Sequence, residues 1–120
     1  MPNIQKFEHL FSVERIATSR LKRAVIAAST SGNNTIVAAV PGKIIRVYQL
    51  LVVATDAVTT RWESAAGGTA LTGLMPLVAS SGYAPSFCPV GHFETVEGEL
   101  LNLELSAAVM VGGWIVYGEI

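Results

Sequence analysis

The sequence predicts an all-β fold, an antiparallel jelly-roll-like β-sandwich preceded by an N-terminal extended arm. Three observations carry that expectation. In Leu100–Leu105, Leu101, Leu103 and Leu105 alternate with Asn102 and Glu104, the period of a strand with one buried face. Similar short runs recur at intervals of roughly ten residues, broken by glycine and proline, as in sandwiches and barrels. The charge also divides. Residues 1–31 hold Lys6, Arg15, Arg20, Lys22 and Arg23 against Glu8 and Glu14, a net of +3. Residues 32–120 hold three cations against seven acids, a net of −4. A basic arm over residues 1–31 therefore precedes an acidic sandwich over residues 32–120.

Within the arm, Phe7, Leu10 and Phe11 have near-helical spacing, and Ser12 suits the N-cap of a short helix. Arg23–Ala28 (RAVIAA) has the composition of a first strand, and Ser29–Asn34 (STSGNN) that of a loop. Thr35–Val40 is the next strand and ends at Pro41-Gly42, where proline presets φ and glycine accepts a positive one. Ile44–Ala54 is the longest candidate. Strict alternation puts Ile45, Val47, Leu51 and Val53 on one face and Arg46, Tyr48, Leu50 and Val52 on the other. A strand apolar on both sides belongs mid-sheet or under a partner subunit. Val58–Ser64 alternates in the same way.

Ala65–Gly68 is a turn, followed by short runs at Thr69–Leu71 and Leu74–Ala79. Residues 80–92 form a loop, because Pro85 and Pro89 lack the donors a ladder needs. His92–Val96 leads into a turn at Glu97-Gly98, and Leu100–Leu105 follows. The last strand or strand pair spans Val109–Ile120, where Gly112-Gly113 marks a hairpin turn or a bulge.

Composition excludes several classes. No apolar run approaches the ~20 residues a spanning helix needs, so no membrane partner is expected. The N-terminus lacks the pattern of a signal peptide, and Cys88 is the single cysteine, so the chain is expected to fold in a reducing cytoplasm without disulfides. There is no dense basic run with interleaved aromatics, so no nucleic acid is expected either. Only 14% of residues are charged against roughly 25% in ordinary soluble domains, while 51% are hydrophobic. So sparse a charge leaves apolar surface uncovered. It predicts an obligate homo-oligomer, expected as a trimer. Tyr48, Leu50, Val52, Trp114 and Tyr117 are the subunit-interface candidates. Lys6, Arg15, Arg20, Lys22 and Arg23 form a candidate docking arm for an acidic surface.

No catalytic, metal or cofactor site is predicted. His9 and His92 lack partners at metal-ligand spacing, and Cys88 with His92 supplies two ligands at most. Glu94, Glu97 and Glu99 crowd a turn where carboxylates stay solvated. Gly67-Gly68 lacks the lysine and helix of a phosphate loop. Trp62, Trp114, Tyr48, Tyr83 and Tyr117 suit packing or subunit contacts better than a sugar site.

Thr35–Val47 (TIVAAVPGKIIRV), Thr69–Leu77 (TALTGLMPL) and Pro89–Ser106 (PVGHFETVEGELLNLELS), followed by a glycine-containing last strand, resemble small β-proteins encoded among the head and tail genes of tailed bacteriophages. The resemblance covers roughly residues 32–120, with Ile44 and His92 departing from the pattern. It implies a non-enzymatic virion structural protein, a decoration (cementing) protein bound to the major capsid protein on the capsid exterior. The alternative it implies is a tail- or fibre-associated module that binds a host surface.

Overall fold

The structure is a computed structural model that describes residues 21–120. Lys6, His9, Arg15, Arg20 and the short helix expected after Ser12 lie outside the described residues. The chain runs through β1 (Leu21–Ala28), β2 (Gly32–Val37), β3 (Ile45–Ala54), β4 (Val58–Ser64), β5 (Thr69–Ala70), β6 (Met75–Leu77), β7 (Gly82–Tyr83), β8 (Phe93–Glu94), β9 (Leu101–Leu105) and β10 (Val111–Glu119). There is no helix among the described residues. Every pairing is antiparallel, and the strands form two sheets. The first has the order β1-β10-β3, with β7 and β8 one after the other along the free edge of β3. The second has the order β2-β9-β4, with β5 and β6 along the free edge of β4.

One apolar core lies between the sheets. The first contributes Ile26, Ala28, Ile45, Val47, Leu50, Val52, Ala54, Val111, Ile115 and Tyr117, and the second Val37, Val58, Trp62, Leu101, Leu103 and Leu105. Burying each large aliphatic side chain stabilises the fold by about 1.5–3 kcal/mol. Trp62 ties the layers together. It is fully buried in the second sheet, its ring lies 5.6 Å from Phe93 of the first, and its Nε1–H donates to Tyr83 Oη at 3.1 Å. Tyr83 is held there by burial, which raises its phenol pKa.

The turns follow residue chemistry. Lys43 N–H donates to the Val40 carbonyl across Pro41-Gly42, with Gly42 at φ 72°, and Glu99 N–H donates to the Val96 carbonyl across Glu97-Gly98, with Gly98 at φ 77°. These positive φ values are what glycine supplies without a Cβ penalty.

The first strand expected at Arg23–Ala28 is present and longer, Leu21–Ala28, paired along its whole length to β10, so Lys22 and Arg23 sit in the sheet. Three expectations need correction. Gly32–Asn34, read as loop, belongs to β2, where Asn34 Nδ2 donates to the Leu103 carbonyl across the ladder. Gly112-Gly113 is neither turn nor bulge but lies in regular register opposite Val53 and Val52. The bulge falls elsewhere: Val116 pairs with Gln49 and Tyr117 with Val47, leaving Tyr48 as an extra residue. An extra residue reverses the inside–outside alternation beyond it. Ile45 and Val47 point inward before the bulge, and Leu50, Val52 and Ala54 point inward after it.

Gly113 is required by contact. Its φ is 145°, and a Cβ there would run into the Leu51 carbonyl oxygen, whereas one on Gly112 meets nothing nearer than Ile26 O at 3.9 Å. Gly113→Ala is therefore expected to cost more than about 2 kcal/mol in urea denaturation, with Gly112→Ala within about 1 kcal/mol of wild type.

Candidate assembly surface

The two outer faces of the sandwich differ in kind. On the first sheet, β1 turns Leu21, Arg23, Val25 and Ala27 outward, opposite the inward Ala24, Ile26 and Ala28. Register then sets cross-strand rows: Val25 beside Trp114 beside Leu51, and Ala27 beside Gly112 beside Val53. A third row holds Arg23, Val116 and Gln49. Val25 is 76% exposed and Val53 41%. The Arg23 guanidinium lies 5.4 Å from the centre of the Trp114 ring, a cation–π contact that covers part of the indole.

The apolar character continues past β3. Tyr48, pushed out by the bulge, packs its ring over Gly118, where a Cβ would meet Tyr48 Cε2 at 3.1 Å. The same ring stacks on Phe87, with centroids 5.8 Å apart and planes 21° apart. Residues 84–92 are held beside β3 by Cys88 N–H donating to the Tyr48 carbonyl and His92 N–H to the Val47 carbonyl. They present Phe87 and Val90 to solvent. Two ion pairs lie at the margin of the sheet. Arg46 Nε meets Glu94 at 2.9 Å, and Lys22 Nζ meets Glu119 at 3.1 Å.

The outer face of the second sheet is polar. Arg61 donates to Glu63 Oε2 through Nη2 at 2.7 Å and Nε at 3.1 Å, and to Glu104 Oε2 at 2.9 Å. Asn102 Nδ2 donates to Glu63 Oε1 at 2.9 Å and to Asn33 Oδ1 at 3.0 Å. Glu63 and Asn102 are buried beneath this layer, and Asn102 Oδ1 has no partner. Burial alone would raise the pKa of Glu63. Its side-chain contacts with Glu104, Arg61 and Asn102 outweigh that and hold it below the ordinary carboxylate value.

Of the five subunit-interface candidates, the structure brings Tyr48 and Trp114 to the apolar face. Leu50, Val52 and Tyr117 are sealed in the core and cannot meet a partner. Leu51, Val53, Val25 and Phe87 stand on that face instead. Alternation counted through Tyr48 without the bulge is what hid Leu51 and Val53. The other candidate chemistry disperses. His92 Nε2–H donates to the Ser86 carbonyl at 2.7 Å, Glu94 is paired with Arg46, and Glu99 accepts from Ser64 Oγ at 2.7 Å. Among the described residues no group of three or more His, Cys, Asp or Glu side chains could hold a metal ion. Trp62 is buried and Tyr83 is bonded within the core, so neither is available to a sugar. No family model, no curated protein and no solved structure matched this chain.

The Glu63 cluster has a pH signature. A carboxylate with a depressed folded pKa contributes stability that is complete above its unfolded value, about 4.3, and is lost as pH falls through the folded one. Melting curves from pH 7 down to 2 should therefore show an acid limb that flattens in Glu63→Gln. An unchanged limb would remove Glu63 from the acid response.

Proposed function

We propose that this chain is a structural protein of a tailed-phage virion, a decoration (cementing) protein that oligomerises on the capsid exterior and stabilises the head lattice. The observation that carries the reading is the contrast between faces: an apolar, aromatic outer sheet on one side and a charge-clasped polar sheet on the other. A slab of that kind suits a part that lies between neighbours and water. The jelly-roll form of the fold belongs to the same proposal. Pairing runs first strand with last, β1 with β10 and then β2 with β9, and continues inward to β3 with β7 and β8 and β4 with β5 and β6. This is the order of one long antiparallel ribbon rolled into two layers, which supports a jelly roll.

A trimer made in the host cytoplasm and touching several copies of the major capsid protein would stabilise the assembled lattice by mass action. Three weak attachments on one body raise the effective concentration of each. In this scheme the docking arm is the basic segment around Lys6, Arg15 and Arg20. Lys22 and Arg23 contribute from β1, and Arg23 does so only on leaving Trp114. A second reading, a tail- or fibre-associated module that binds a host surface, is favoured by exposed Phe87 and Val90 on residues 84–92.

Co-sedimentation with undecorated heads tests the proposal. The full chain should pellet with heads, and removal of residues 1–20, which leaves β1 intact, should weaken binding at least about tenfold if the arm supplies two or more charge contacts. No pelleting of the full chain defeats the decoration reading, and equal pelleting of the truncated chain defeats the docking arm.

A further inference from the structure

We infer that the outer face of the first sheet is covered by a second copy of this chain, with Trp114 and Val25 at the centre of the contact. The inference deepens the proposed function, on which it rests for its setting: it names the partner of that face. Charge is the first argument. The Val25–Trp114–Leu51 and Ala27–Gly112–Val53 rows contain no ionisable group. Arg23, the nearest cation, is engaged on Trp114, and Arg46 and Lys22 are paired within the same copy. A face with no free charge offers an acidic or basic shell nothing to recognise. Against its own copy it brings no repulsion and leaves no ion stranded out of water.

Size is the second argument. Residues 84–92, β3, β10 and β1 lie side by side, roughly 19 Å across and roughly 28 Å long at ordinary strand spacing and rise. That plan area of roughly 500 Å² grows toward the ~800 Å² per partner of a stable association once the standing side chains are counted. An area of that size is within what single subunits carry as their largest patch, and such patches often mark association surfaces. Relief is the third. The Val25–Trp114–Leu51 row stands beside the lower Ala27–Gly112–Val53 row, where Gly112 has no side chain at all, so a ridge lies next to a trough that can receive a ridge from another copy.

Light scattering and sedimentation equilibrium on the full chain, as wild type, Val25→Glu and Trp114→Glu, decide the matter. Both substituted residues face outward, and the buried Trp62 reports in each variant whether the core has formed. The expected result is a wild-type mass that is a multiple of the 12.7 kDa chain at micromolar concentration, with self-association weakened at least about a hundredfold by either glutamate. A wild type that stays at one chain mass overturns the inference, as do folded variants that still associate. If the wild type is monomeric yet binds heads through this face, so that Val25→Glu abolishes pelleting, the occupant is the shell and the second copy is refuted. If the wild type assembles as expected but heads do not capture it, the decoration reading falls and the copy-to-copy contact stands.

Discussion

One extra residue in β3 decides what this molecule shows to its surroundings. Without Tyr48 as a bulge, the inward direction of Ile45 and Val47 would carry on to Gln49, Leu51 and Val53, placing an amide in the core and Leu50, Val52 and Ala54 outside. With it, Leu50, Val52 and Ala54 fill the space between the sheets, and Leu51 and Val53 stand beside Trp114. The bulged tyrosine is itself put to use. Its ring fills the space above Gly118 and stacks on Phe87, extending the apolar face across residues 84–92.

The two sheets divide the physical work. Trp62, Phe93 and Tyr83 hold them together from within, combining aromatic packing with a hydrogen bond that satisfies the indole donor. Outside, the second sheet gathers charge into a network in which a single arginine clasps two carboxylates. A buried carboxylate is tolerable there because its oxygens are bonded on both sides; removing Arg61 would leave an uncompensated ion. The first sheet keeps its charges, Lys22, Arg23, Arg46, Glu94 and Glu119, outside the Val25–Trp114–Leu51 and Ala27–Gly112–Val53 rows.

Much of this was legible in the residues. Val58–Ser64 has the bounds its alternation predicts, and the turns at Pro41-Gly42, Ala65–Gly68 and Glu97-Gly98 fall where their chemistry places them. These are local signals, complete within a few residues. What escaped depends on partners distant in sequence. The bulge at Tyr48 exists only relative to β10. Gly113 is explained not by a turn but by the Leu51 carbonyl lying across the ladder. Asn102 and Glu63 look like solvated outward residues until strands thirty or more positions apart close around them. Alternation alone found β3 and misassigned the two sides of its second half.

If a second copy covers the first sheet, Trp114, Val25 and Leu51 are the side chains it hides. Hydroxyl-radical labelling of side chains across a dilution series measures that directly. Labelling of these three should fall as concentration rises, while Thr59 and Thr35 of the second sheet label equally at every concentration. Labelling of Trp114 and Val25 that is the same in concentrated and dilute protein would contradict it.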